Sequence, residues 1–302
     1  MSSAFSKPKT VLVIGAGGNV GKPTVHYLVA AGFVVSGLTR ESSQAELPAG
    51  VNHLKTDYSF ESLKAAFRGQ DAVVNTISGD GLEFGRLIVD AALAAGVKIL
   101  FPSEYGCDTS QPDAPVLVPY LKTKGEVMDY LKSQQDRISW TALVTGCEFD
   151  YGLDRPVLGG YDVPARTATI YDGGDTLFEA TTLEQTGRAI ALALQHPDIV
   201  KNRYVYVNSF TTTQNAVLKS LEKATGQSFT VKHDSIDNLR KGGFEKLKDG
   251  DSMGMMPIIA SAFYGDFDLT HYSVSKGLDN AAIGLEPEDL DEVIAAYVAE
   301  RI

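Results

Sequence analysis

The chain is poor in cysteine, with only Cys107 and Cys147 among 302 residues. Their separation suits neither a metal pair nor a redox pair, so both read as free thiols. Long apolar runs are missing: no window approaches the roughly eighteen residues of a membrane span. The opening Met1-Ser-Ser-Ala-Phe-Ser-Lys-Pro-Lys-Thr10 lacks the apolar core of a secretory signal, and a cytoplasmic location is expected. Positive charge is short, with 27 Lys and Arg against 38 Asp and Glu and a formal net charge of −11. Such a surface repels phosphate backbones and anionic lipid, which makes nucleic acid and membranes poor partners. Repeats and low-complexity tracts are absent too. His196, His233 and His271 share no ligand spacing with one another or with nearby acids, so no metal is expected.

What remains is an ordinary soluble composition, 44% hydrophobic and 22% charged, in a chain long enough to bury a full core. Its organising stretch is Val11-Leu-Val-Ile-Gly15-Ala-Gly17-Gly18-Asn19-Val20-Gly21. Four branched apolar residues in a row suit a central parallel strand, and the glycines suit a turn into a helix. A dinucleotide pyrophosphate would sit on that helix's first N–H groups. The spacing is Gly15-x-x-Gly18-x-x-Gly21, not strict GxGxxG, and a plain glycine turn without ligand is the simpler alternative.

Downstream, strands and helices alternate. The patterning predicts a helix over 20–31, a strand over 33–39, a short strand over 51–57 ending in Asp57, and a helix over 60–67. A strand over 71–77 with Ser78 in its exit loop, a helix over 82–95 and a strand over 97–101 follow. Uninterrupted alternation demands crossover connections and therefore a Rossmann-type, doubly wound α/β fold with a parallel sheet. Ligands of such sheets gather at the strands' carboxyl ends, where Gly17, Arg40, Asp57, Ser78 and Ser103 fall. An NAD-preferring site usually carries an acid at the second strand's last position, which here is Thr39; Arg40 follows it and with Ser42 and Ser43 suits a 2′-phosphate and hence NADPH, with Glu41 as the counter-signal.

After Pro102-Ser103-Glu104-Tyr105-Gly106, a polar loop leads to Pro119, expected as the first position of a helix through Leu131. Tyr120 and Lys124, four apart, share one face of it. An adjacent ammonium and a helix N-terminus both stabilise phenolate, readying Tyr120 to give a proton. A sixth strand is expected over 138–144, a pocket-lining or surface loop over 150–166, and a hairpin with strands 167–171 and 176–180. A helix over 183–195, a strand over 203–207 returning to the sheet and a helix over 214–224 come next. Met253, Met255, Met256, Phe263, Tyr264 and Phe267 read either as an adaptable pocket lining or as core.

These motifs resemble the NmrA-like and isoflavone-reductase-like family of atypical short-chain dehydrogenases/reductases. The resemblance rests on Gly15–Gly21, Leu38-Thr-Arg40, Gly69-Gln-Asp-Ala-Val-Val74, Pro102–Gly106 and Lys124. Thr186-Gly-Arg-Ala-Ile190, Asn202–Asn208 and Gly284-Leu-Glu-Pro287 extend it along the chain. It implies an NADPH-dependent reductase of aromatic or phenolic molecules in secondary metabolism, with Lys124 as the central catalytic residue. A cofactor-binding region over 1–150 and a smaller substrate-binding lobe over 151–302 would follow, with about 183–212 returning to the first; a homodimer is admitted. Two departures stand out: the family's usual glycine-loop threonine is Gly17, expected to loosen that turn, and Tyr120 restores a Tyr-x-x-x-Lys pair that the isoflavone-reductase branch generally lacks. Catalysis would then use Ser103, Tyr120 and Lys124, with the proton donor open. The rival reading is a dinucleotide-binding redox sensor without turnover, as some members of the family are.

Overall fold

The structure, a computed structural model, describes residues 7–301. The first half runs β1 (Thr10–Ile14), α1 (Gly21–Ala30), β2 (Val34–Arg40), β3 (Asn52–Thr56), α2 (Phe60–Phe67) and β4 (Ala72–Asn75). A 3-10 turn, Gly79–Phe84, leads into α3 (Gly85–Ala95), then β5 (Ile99–Phe101), α4 (Ala114–Leu117), α5 (Leu121–Ser133) and β6 (Ser139–Val144). The second half contains β7 (Cys147–Glu148), α6 (Phe149–Leu153), α7 (Pro156–Gly159), β8 (Tyr161–Asp162), β9 (Thr167–Tyr171), β10 (Phe178–Thr181), α8 (Leu183–Gln195), α9 (Pro197–Val200) and β11 (Arg203–Tyr206). It ends with β12 (Phe210–Thr212), α10 (Gln214–Thr225), β13 (Thr230–Asp234), α11 (Ile236–Lys248), α12 (Met255–Tyr264), α13 (Asn280–Ile283) and α14 (Leu290–Arg301).

Seven strands pair in parallel in the order β11-β6-β5-β4-β1-β2-β3. The sheet is covered on both faces, which is why β1, β4, β5 and β6 are nearly continuous runs of buried residues. Strand order reverses between β1 and β4, and the crevice at their carboxyl ends is where a doubly wound sheet takes its ligand. Local chemistry sets the helix starts: Ser59 and Thr182 cap α2 and α8, their hydroxyls accepting from the N–H groups of Ser62 (3.3 Å) and Gln185 (3.1 Å). As the patterning of residues 203–207 predicts, β11 returns to the sheet and pairs with β6.

Two small sheets, β12-β10-β7 and β13-β9-β8, shape the rest around a second core that includes Tyr161, Phe178, Val217 and Ile258. Here sequence patterning falls short. No hairpin joins 167–171 to 176–180: β9 pairs with β8 and β13, whereas β10 pairs with β7 and β12. A tight turn does exist at Asp172, Gly173 and Gly174, all at positive φ, but it passes the chain from one sheet to the other. The expected loop over 150–166 holds α6, α7 and β8, whose lengths of two to five residues are too short to show a period. Likewise α4 sits inside the expected polar loop, and the helix expected from Leu82 starts at Gly85 after the 3-10 turn. Phe263 and Tyr264 are core: the Tyr264 hydroxyl donates to the Gly159 carbonyl at 2.7 Å and its ring stacks on Tyr171.

Candidate active site

The glycine turn leaves β1 with Gly15 at φ +77, a conformation costly for any residue with a β-carbon. The Gly18 N–H donates to the Gly15 carbonyl at 2.8 Å, folding the turn on itself. A Cβ on Gly21 would stand 2.1 Å from the Gly15 carbonyl oxygen, so the first turn of α1 must be bare here. Gly18 and Asn19 are exposed on the turn's outer side, whereas Val20 is buried at the N-cap.

Gly17 has a second neighbour. A Cβ there would lie 2.3 Å from Ala45 Cβ, and a Cβ on Gly37 of β2 would lie 2.3 Å from Leu47 Cδ1. The segment after β2 therefore packs down on the glycine turn, and glycine at 17 is what lets it do so. The expectation that Gly17 merely loosens the turn gives way to this close contact. Ahead of that segment, Arg40 is exposed at the last position of β2. The Lys55 ammonium donates to the Ser43 carbonyl at 2.6 Å and ties the same segment to β3.

Asp57 and Ser78 lie at the ends of β3 and β4. The Asp57 carboxylate accepts from the Ser59 N–H at 2.8 Å, which holds its carboxyl below the usual range, so its part in the structure is to shape the entry to α2. Ser78 is exposed and precedes Gly79, whose N–H donates to the Tyr120 hydroxyl at 3.3 Å.

Ser103, Tyr120 and Lys124 are brought to one place by β5 and α5. Lys124 is buried and its ammonium donates to the Tyr105 carbonyl at 3.4 Å, whereas Lys122, two residues earlier, is exposed and 3.9 Å from Glu126. Tyr120 is the N-cap of α5, and Pro119, the expected first helical position, lies outside the helix, which starts two residues later at Leu121. Its ring lies 5.9 Å from the Lys124 nitrogen, so the ammonium addresses the face of the ring. The Ser103 hydroxyl donates to the Ile77 carbonyl at 2.6 Å, which in this arrangement leaves its lone pairs free.

Two acids at the exits of β5 and β6 feel the charge of the lysine. Glu104, almost wholly buried, takes a hydrogen bond from the Thr109 hydroxyl; burial pushes its carboxyl up, and the Lys124 ammonium pulls the other way. Glu148 is driven up to about 7 by burial, against the same ammonium. Sequence reasoning passed over Glu148; its signal was an acid inside the apolar exit of β6, Val144-Thr-Gly-Cys-Glu-Phe149. Burial raises the Cys107 thiol to about 12 and Cys147 well above its ordinary value, which agrees with inert free thiols. A cavity of about 430 Å³ between Tyr161, Pro156 and the Tyr297–Arg301 end of α14 includes none of these groups. Among the described residues no cluster of His, Cys, Asp or Glu could hold a metal ion, and no helix is long and apolar enough to cross a membrane.

Comparison with known proteins decides the family, since the NmrA-like family profile matches residues 7–292. The chain belongs to the NmrA-like family. Among its relatives, the oxidoreductase aprR of Aspergillus flavus is 33% identical over 95% of this chain and 98% of that protein. The oxidoreductase poxI of Penicillium oxalicum is 30% identical over 93% and 91%. In fold, the chain is similar to AtPrR2 solved with NADP+ and (+)pinoresinol, at a TM-score of 0.77 and 20% identity, covering 97% of this chain and 100% of that one. The later NmrA-like motifs have structural work to do in this chain. Gly187 of the Thr186–Ile190 motif lets α8 lie on α1, a Cβ there falling 2.5 Å from the carbonyl carbon of Pro23. Asn208 donates to the fully buried Glu179 carboxylate at 2.6 Å. Beside the terminal Gly284–Pro287 motif, the Gln185 amide donates to the Glu286 carbonyl at 2.6 Å.

Proposed function

We propose that this chain is an NADPH-dependent reductase of an aromatic, phenolic or polyketide-like small molecule bearing a carbonyl, an imine or an activated C=C bond. The observation that carries the reading is Lys124, a buried ammonium held beside the exit of β5, in a sheet whose central strand β1 runs into a glycine turn too tight for a β-carbon at Gly21. The oxidoreductase names of the relatives support it, as does the NADP+ complex of the structural neighbour. The residues present fit a dinucleotide: the bare backbone of Gly15–Gly21 would take the pyrophosphate at the N-terminus of α1, and Arg40 would pair with the 2′-phosphate. Bound there, the dihydronicotinamide supplies a hydride. Residues 1–150 would hold this cofactor, and 151–302, apart from about 183–212, would shape the substrate side.

The chain's own residues handle the proton. Lys124 presents N–H donors from a buried position, so it stabilises negative charge developing on the substrate and gives the proton that quenches it. Tyr120, anchored through Gly79 and lying beneath that ammonium, keeps its O–H free to orient the substrate. Ser103 offers a lone pair, which suits a phenolic hydroxyl on the substrate. Replacing Lys124 by Ala is expected to cut turnover at least a hundredfold, about 2.7 kcal/mol of barrier. The measurement is NADPH consumption with a panel of quinones, aldehydes and phenolic enones; turnover in the variant near that of the parent would sink the mechanism. A parent protein that binds NADPH yet reduces none of the panel would favour the sensor reading.

A further inference from the structure

The cavity between the α6–β8 segment and the last turns of α14 lies outside the candidate active site. It measures about 430 Å³, a size at which small molecules bind, and none of Ser103, Tyr120 and Lys124 lines it. One wall is rigid by construction. Gly159 of α7 lies so close on α6 that an added Cβ would fall 2.4 Å from the Gly152 carbonyl oxygen, and Gly160 turns the chain into β8 at φ +81. A tight turn follows, the Asp162 carboxylate accepting from the Ala165 N–H at 2.9 Å and the Val163 carbonyl from the Arg166 N–H at 3.3 Å.

The floor is apolar. Leu153, Tyr161, Val163 and Tyr297 are all buried there, and both hydroxyls are engaged within the protein. Tyr161 donates to the Gln214 carbonyl at 2.8 Å and Tyr297 to the Asp154 carboxylate at 2.9 Å, so the floor offers rings and aliphatic carbon. The mouth is charged. The Arg301 Nε donates to the same Asp154 oxygen at 2.9 Å, its Nη1 donates to Glu300 at 3.2 Å, and the guanidinium covers the Tyr297 ring at 4.2 Å. That cation is matched, whereas Asp162 has no counterpart: among the described residues no Lys, Arg or His nitrogen comes within 4.0 Å of its carboxylate. The lining thus sets Asp154 and Asp162 against Arg301 alone, an excess of one negative charge.

We propose that this cavity is a binding site for a small organic amine, its apolar body on the floor and its ammonium at the mouth on the Asp162 carboxylate. An ammonium supplies the cation that Asp162 lacks and carries only donors, and a charged donor on a carboxylate makes the stronger kind of hydrogen bond. A neutral molecule of the same shape gains only the burial of its apolar surface. An anionic one meets the excess negative charge. Since the lining shares no residue with the glycine turn or with Lys124, the amine and a dinucleotide can be bound together, and the site does not depend on the reductase reading.

Phenethylamine is the probe, titrated calorimetrically into the full chain with 2-phenylethanol and phenylacetate as its neutral and anionic counterparts. One-to-one saturable binding of the amine is expected, with a Kd of about 1 mM or tighter. Asp162→Asn keeps an oxygen for the Ala165 N–H and removes the charge, so it should weaken the amine about tenfold and leave 2-phenylethanol unchanged. Methyl NMR of the parent chain locates the ligand independently of any variant: the Leu153 and Val163 resonances should shift as the amine is added, and should do so equally with NADPH present. Absence of saturable binding overturns the proposal, as does phenylacetate binding as tightly as the amine. Parent-like affinity for the amine in Asp162→Asn, shifts confined to other methyls, or displacement of the amine by NADPH would each overturn it as well.

Discussion

Arg40 is the residue proposed to choose the cofactor from a strand end. It is exposed at the close of β2, beside a segment that packs on the glycine turn through Ala45. A guanidinium there has nothing to do for the fold that a neutral side chain could not, and its fixed fork matches a phosphate. A charge-assisted hydrogen bond contributes roughly 1.5–3 kcal/mol. Arg40→Ala is therefore expected to weaken NADPH binding about ten- to a hundredfold and leave NADH binding nearly unchanged, read by titration of cofactor fluorescence. Equal losses for both cofactors would remove Arg40 from any contact with the 2′-phosphate. This residue was legible because strand length, the charge at the strand end and the neighbouring serines are all local. Glu148 was not, since its meaning comes from Lys124, twenty-four residues earlier in the chain and on another element.

Elements tell the same story at larger reach. The parallel half could be read in order because each strand is a buried run and each helix repeats at its own period. The second half could not, because β9 finds a partner in β13, some sixty residues on, and no turn residue announces that choice. Contacts between helices are also silent in sequence until the backbones meet. Helix α8 lies so close on α1 at Gly187 that an added Cβ would fall 2.5 Å from the carbonyl carbon of Pro23 and 2.7 Å from the Thr24 nitrogen. Backbone cannot swing aside as a side chain can, so the helices must part. Overpacking of this kind costs about 1–3 kcal/mol. In a chain of this size that lowers the melting temperature by at least about 2 °C. Gly187→Ala should show that drop and also weaken NADPH binding, since α1 follows the glycine turn proposed to hold the phosphates. Gly125→Ala in α5, with nothing within 4 Å of the new Cβ, is the control and should be neutral or slightly stabilising. A Gly187→Ala protein as stable as the parent would mean that α8 does not clamp the cradle.

For the molecule as a whole, the site is a standing charge against stability. Burial raises the carboxyls of both Glu104 and Glu148. An acid raised in the folded state binds its proton more tightly there than in the unfolded chain, so folding is favoured while it is protonated and disfavoured once it ionises. For Glu148 the window runs from the ordinary value of 4.5 to about 7: stability falls as pH rises through it and levels off above. The difference corresponds to roughly 3 kcal/mol, at 1.36 kcal/mol per unit. Glu148→Gln keeps the shape of the side chain and removes the charge. Urea denaturation should find it close to the parent at pH 5 and about 2–3 kcal/mol more stable at pH 8, with an unchanged slope in denaturant. Glu104 remains in both proteins and cancels from the comparison. A variant with the same advantage at both pH values would trace the gain to packing, and one less stable than the parent at pH 8 would mean that the ionised carboxylate holds the fold together. The expected outcome would make this a position where the buried acid costs the fold once it ionises and a glutamine serves it better above neutrality.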